Sequence, residues 1–174
     1  MRIMPIENDF YVTSGFGARW GTTHWGTDFG CAGGSANRAI YAAQSGTVTA
    51  AGPASGFGQW INIDHPVEAG AGLTVYGHII PEVRVGQRVQ AGDRIGYINP
   101  NSATNGGVDP HLHFEVHRFV WSPPGVNRLD PQPWLSGARY PNDPLPIQLV
   151  PAADAWLPVL EQLIGPVTQW TLHN

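Results

Sequence analysis

The sequence predicts an all-β fold, a sheet or a barrel-like sandwich. Two observations carry this. The 22 glycines and 16 prolines in 174 residues recur too often for long helices. The apolar residues between them fall in short runs that are β-branched or alternate with polar ones, the pattern of strands.

Taken in chain order, His24 and Asp28 come first. Four residues apart, they would share a helix face, but Trp25-Gly26-Thr27 and the glycines on both sides disfavour a helix, so they are expected in a loop running into a strand. Residues 45–52, 60–65 and 73–78 each read as a strand bounded by Gly, Pro or Asp. Residues 83–96 alternate apolar and polar positions and are punctuated by Gly86, Gly92 and Gly96, as expected for short, tightly turned strands. The last strand is 111–118, in which His111, His113 and Glu115 point to one face and Leu112, Phe114 and Val116 to the other. One face is imidazole and carboxylate, and the other is core. No solenoid repeat interrupts this order.

After residues 134–137 the composition shifts. Pro141, Pro144, Pro146 and Pro151 arrive within eleven residues and predict an extended tether. The expected division is a domain over 1–137 and a Pro-rich tail over 138–174. Within the tail Trp156, Val159, Leu160, Leu163 and Ile164 fall at helical spacing before Gly165-Pro166, with Pro158 near the start. That short amphipathic helix either opens a following domain or docks a partner, or it folds back on the first domain.

Composition narrows the function. The formal net charge is -4, with nine Lys and Arg, which leaves no electrostatic footprint for nucleic acid or anionic lipid. Apolar runs fall far short of the roughly 20 residues of a membrane helix, and the first eight residues lack the apolar core of a signal peptide. A soluble chain with no export signal of its own is expected. Cys31 is the only cysteine, so no intrachain disulfide forms and a metal site must rest on nitrogen and oxygen ligands at all but one position. Cys31 itself reads as a small buried hydrophobe.

The histidines carry the chemistry. Neutral imidazole is the commonest protein metal ligand, and a catalytic zinc site uses three protein ligands plus an open position. His24, Asp28 and one of His111 or His113 supply such a set. A hydrolase also needs a group to take the proton from attacking water, yet no His-Glu-x-x-His motif provides the usual glutamate. Imidazole can take that place: the second histidine of the 111/113 pair and His78, which ends the strand in Tyr76-Gly77-His78, would flank the water. Glu115 reads either as an outer partner of His113 or as a solvated strand carboxylate. Tyr76 is expected to pack, the alternative being a donor to the oxyanion, His65 to end a strand, and His117 and His173 to be exposed. Arg19 is expected to hold the Gly-rich loop beside it by charge-assisted hydrogen bonds.

In the order Thr13-Ser14-Gly15-Phe16-Gly17-Ala18-Arg19, His24-Trp25-Gly26-Thr27-Asp28-Phe29, Ile63-Asp64-His65, Thr74-Val75-Tyr76-Gly77-His78-Ile79, Val85-Gly86-Gln87-Arg88-Val89-Gln90-Ala91-Gly92 and His111-Leu112-His113-Phe114-Glu115-Val116, the chain resembles the lysostaphin-type, LytM-like zinc metallopeptidases of bacterial peptidoglycan. The resemblance extends over roughly residues 13–135. It implies antiparallel sheets in a barrel-sandwich arrangement, a duplicated hybrid motif with long loops lining a zinc cleft, one Zn2+ held by His24, Asp28 and His113, and His78 and His111 acting on the water and the developing oxyanion. It implies an endopeptidase that cuts the stem or cross-bridge peptides of peptidoglycan, either as a monomer or as one domain of a longer chain. With no leader in view, a phage lysin released through a membrane pore is expected. The alternatives are a catalytically silent relative that binds wall or activates another hydrolase, and a virion-associated peptidase module. Two stretches depart from the family pattern: residues 99–110, with Asp109 where a glycine often stands, and residues 32–37. Neither touches a ligand. With 53–58 they border the cleft and would decide which bond is cut.

Overall fold

The computed structural model describes residues 1–144, and a compact unit runs over Met1–Asp143. Thirteen strands follow one another: β1 (Phe10–Ser14), β2 (Gly17–Arg19), β3 (Thr22–His24), β4 (Thr27–Cys31), β5 (Ala39–Tyr41), β6 (Gly46–Ala54), β7 (Gly58–Asp64), β8 (Leu73–Gly77), β9 (Ile79–Pro81), β10 (Arg88–Val89), β11 (Arg94–Ile98), β12 (Leu112–His117) and β13 (Arg128–Leu129). A single α-helical turn, α1 (Pro131–Trp134), starts where the Asp130 side chain accepts from the Gln132 N–H, with proline in its first turn. The sequence-expected strands over 45–52, 60–65, 73–78 and 111–118 correspond to β6, β7, β8 and β12. Among the described residues no helix is long and apolar enough to cross a membrane.

The main sheet is antiparallel in the order β1-β4-β12-β8-β7-β6-β10, with β13 also on β12. A three-stranded sheet, β5-β11-β9, and the β2-β3 ribbon complete the architecture. The sheets are open, and none of them closes into a barrel among the described residues. Ala138 and Tyr140 still pack against the core, and Ile3 bridges Arg139. The amphipathic helix expected around Trp156 to Ile164, and His173, lie outside the described residues.

Strand β12 holds the middle of the main sheet and is buried at every position. Its alternation is the expected one. Leu112, Phe114 and Val116 enter the core, where the register aligns Ile61, Tyr76 and Phe114 across three strands. The opposite face carries a second row, in which Trp60, Gly77, His113, Asp28 and Ser14 stand opposite one another on β7, β8, β12, β4 and β1. Directly opposed residues share a face, so the sheet register alone brings His113 and Asp28 together.

Tyr76 belongs to the core row. Its ring packs 5.3 Å from that of Phe114, its hydroxyl accepts from the Ala43 N–H at 2.8 Å and pairs with Thr74 Oγ1 at 3.1 Å, and burial raises its pKa to about 12. Thr74 in turn meets His65 Nε2 at 2.9 Å, and His65 Nδ1 lies 3.0 Å from the Ser45 carbonyl. His65 is therefore a buried strand-end residue inside a hydrogen-bonded chain. Tyr76→Phe would leave the Ala43 N–H and the Thr74 hydroxyl without this partner, and chemical denaturation should show a loss of about 1–3 kcal/mol.

Candidate metal centre

Three ligand atoms converge at the β4–β12 junction. His113 Nδ1 lies 2.8 Å from Asp28 Oδ1, His24 Nε2 lies 3.1 Å from the same oxygen, and the two nitrogens are 3.1 Å apart. Asp28 and His113 arrive by register. His24 arrives because it ends β3 with only Trp25 and Gly26 before β4 begins, so the i,i+4 pair meets without a helix. Gly26 lies in that short turn, where an added Cβ would come within 2.6 Å of His113 Nε2 and of the Phe114 carbonyl. Only a glycine lets the turn pass this close behind the ring.

The remaining ring nitrogens fix what faces the centre. His24 Nδ1 is 2.8 Å from the Gly15 carbonyl and must donate there, leaving Nε2 as a lone pair. His113 Nε2 donates to Glu115 Oε1 at 3.1 Å, which turns Nδ1 inward. Two lone pairs and a carboxylate oxygen thus face one another at close range, an arrangement that requires a positive species between them, a proton or a metal ion. Ligand atoms about 2.0–2.1 Å from one tetrahedral ion stand about 3.3 Å apart, close to the separations seen. His24, Asp28 and His113 form a group able to hold a metal ion.

Electrostatics follow from the same contacts. Burial works to raise the Asp28 pKa, but the close imidazoles of His111, His113 and His24 hold its carboxyl well below the usual range. Burial opposes charge on His113, yet Asp28 and Glu115 outweigh it and raise its pKa. Glu115 is buried and fully partnered: Arg128 Nη1 donates to Oε1 at 2.7 Å and His117 Nε2 to Oε2 at 2.7 Å. Against the burial, the His113 and His117 hydrogen bonds bring its pKa down to about 2. The expected alternatives for Glu115 are thereby resolved as partnership with His113. His117, expected to be exposed, is only 1% exposed. Its Nδ1 accepts from the Ser122 N–H at 3.0 Å, because β13 and the 118–127 loop cover this face of β12.

His78 and His111 stand together over the three ligand atoms, with ring centroids 4.7 Å apart. His78 Nδ1 donates to the Asn105 carbonyl at 2.6 Å and His111 Nδ1 to the Asp109 carbonyl at 2.7 Å, so both Nε2 atoms carry lone pairs. His111 Nε2 lies 3.5 Å from Asp28 Oδ1, farther than His113. Burial, then the neighbouring His111, lowers the His78 pKa to about 4. His78 also sits at φ 63°, a left-handed conformation that costs a non-glycine residue about 1 kcal/mol or more. Its N–H donates to the Phe57 carbonyl at 3.2 Å and its carbonyl accepts from Asn99 at 3.0 Å, which hold it there.

Other contributors left no sequence signal. The carbonyls of Gly15, Asn105 and Asp109 orient the rings, and a backbone atom has no residue code. Asn105 is fully buried and braces its own loop through Val108 at 2.9 and 3.2 Å. Arg19 does more than hold its loop: Nη1 donates to Ser14 Oγ at 2.6 Å and to Asp28 Oδ2 at 3.2 Å. Cys31, expected to be buried, is partly exposed and lies 3.4 Å from both Asp9 and Arg38. Two clefts meet at Asp28 and His111: one of about 340 Å³ bounded by Trp25, Phe57 and Arg128, the other of about 530 Å³ bounded by Tyr11, Cys31 and Asp109. A groove therefore crosses the centre.

Known proteins share this arrangement of strands. A solution structure of lysostaphin is similar at 27% identity and a TM-score of 0.64, covering 80% of this chain and 57% of that one. LytU is similar at 27% identity and a TM-score of 0.58, covering 72% and 84%. A zinc-containing peptidase from Vibrio cholerae is similar at 26% identity and a TM-score of 0.55, covering 67% and 36%. The chain thus spans little more than half the length of that lysostaphin. A family model described as Peptidase family M23 matches residues 22–131, a span that includes His24, His78, His111, His113 and Asp28 of the centre. With that match over more than half of its length, the chain belongs to peptidase family M23.

Proposed function

We propose that this chain is a zinc-dependent endopeptidase that hydrolyses stem or cross-bridge peptides of bacterial peptidoglycan. The observation that carries the reading is the convergence of His24 Nε2, Asp28 Oδ1 and His113 Nδ1 beneath two imidazoles whose Nε2 atoms are lone pairs. Family membership and the likeness to lysostaphin and LytU support the substrate class.

His24, Asp28 and His113 would hold the ion, two neutral nitrogens and one carboxylate oxygen being the donor set zinc favours. When bound, zinc acidifies water and polarises the scissile carbonyl. The protein's own groups do the rest. His111, partly exposed and anchored by Asp109, accepts the proton of the attacking water at Nε2. His78, which burial keeps neutral at pH 7, presents its Nε2 lone pair to the same water, and the His111 imidazolium then faces the oxyanion and protonates the departing amine. Glu115, locked by Arg128 and His117, keeps the His113 tautomer.

Release of peptide fragments from purified peptidoglycan should stop with chelator and with His113→Ala, and retained cleavage in both would sink the reading. His111→Ala should keep the metal and lose about 10²- to 10⁴-fold in kcat, the scale of a general base. Glu115→Gln should weaken zinc binding about 10- to 100-fold by equilibrium titration.

Acid should weaken binding as well. The His113 pKa is raised, so below it a proton occupies the nitrogen that zinc needs, and affinity should fall about tenfold per pH unit as pH drops. Calorimetric zinc titrations at several pH values check the slope.

A further inference from the structure

A line of aromatic rings leaves the centre along the sheet face. Phe57 has its ring centroid 5.4 Å from that of His113 and fills the space above Gly77, where a Cβ would come within 2.3 Å of it. Trp60 follows at 5.6 Å from Phe57, and Trp121 stands edge-on to Trp60 at 6.2 Å. Trp60 shares the row of Gly77 and His113, so the line is set by register. It ends in the open: Trp121 is 45% exposed, with Phe119 and Val120 more exposed still. An exposed apolar patch of this kind marks a contact surface.

The loop carrying Trp121 is built into the centre. The Ser122 N–H donates to His117 Nδ1 and the Ser122 carbonyl accepts from Arg128 Nε at 3.1 Å, while His117 and Arg128 both end on Glu115, the partner of His113. Whatever rests on Trp121 is therefore held at a fixed distance from the ligand atoms.

Reach and chemistry select the occupant. In peptidoglycan the peptide hangs from a glycan strand, and four residues span at most about 14 Å. Trp60 lies two ring-to-ring steps, of 5.4 and 5.6 Å, from His113, within that reach, so a sugar at the root of the peptide can rest on Trp60 and against the adjoining Trp121 while the peptide crosses the centre. An aromatic face carries negative charge density and complements the C–H face of a pyranose. In the same loop, the exposed Arg118 guanidinium has no hydrogen bond or ion pair among the described residues and is available to hydroxyl or carbonyl oxygens. A net charge of -4 gives no general attraction to anionic lipid.

We propose that Trp60 and Trp121, joined to the centre by Phe57, form a saccharide subsite that takes an N-acetylated hexose of the glycan strand. The proposal rests on the peptidoglycan reading above. Calorimetric titration of the full chain with the tetramer of N-acetylglucosamine should show saturable binding, weakened about tenfold or more in Trp121→Ala and restored in Trp121→Phe, the scale of one aromatic stacking contact. In parallel, kcat/KM is compared for one muropeptide with and without its disaccharide. Trp121→Ala should lower the preference for the sugar-bearing form about tenfold. Absence of saturable binding by the unmodified chain, binding unaffected by Trp121→Ala, or equal loss on both substrates would overturn the proposal. Binding to phosphatidylglycerol vesicles in place of the sugar would overturn it too and assign the shelf to lipid. If neither muropeptide is cut while the sugar titration behaves as expected, the peptidase reading fails and the saccharide subsite stands.

Discussion

The antiparallel register that sets His113 of β12 opposite Asp28 of β4 is the constraint on which the rest depends. A slip of one residue would exchange the faces of β12, putting Leu112 and Phe114 toward the groove and the histidines into the core. The core prevents that slip. Phe114 stacked against Tyr76 and aligned with Ile61 pins the register from behind, so the packing of the apolar face decides the geometry of the polar one. Stability and site geometry are two readings of one strand.

Around that pair the structure works by exclusion as much as by contact. Gly26 and Gly77 flank the His113 ring, one behind it in the turn before β4 and one opposite it on β8. Neither position has room for a Cβ, and the absent side chains let the ring and Phe57 lie against the backbone. Every imidazole near the centre then has one nitrogen committed, His24 and the two over the groove to carbonyls and His113 to a carboxylate. The protein sets tautomers with groups that carry no charge of their own, except where Glu115 is used.

Strand alternation made much of this legible in advance. Val, Ile and aromatic residues alternating from 60 to 65 and 111 to 118 marked central strands, and the polar residues of the last one marked the site face. What alternation could not show was the treatment of strand ends. His78 leaves β8 in a left-handed conformation, so its side chain no longer obeys the period of two that would pair it with Tyr76. His117 looked solvent-facing because the loop that covers it, 118–127, has no regular pattern. Arg19 was visible as a loop anchor, but its second contact, to Asp28, depends on how the β2-β3 ribbon folds over β4. The carbonyl partners of the rings depend on loop shape and lie beyond any residue pattern.

A proton on His113 Nδ1 satisfies the Asp28 carboxylate much as a metal ion would, and the apolar core lies on the other face of β12. The order of assembly follows from this. Small domains whose ligands form the core remain unfolded until metal arrives, whereas here the polypeptide can complete its sheet first, with the proton as a placeholder. A metal bound at the centre would therefore displace a proton rather than complete the core, so acidity would compete with the ion for His113 without deciding whether the sheet forms.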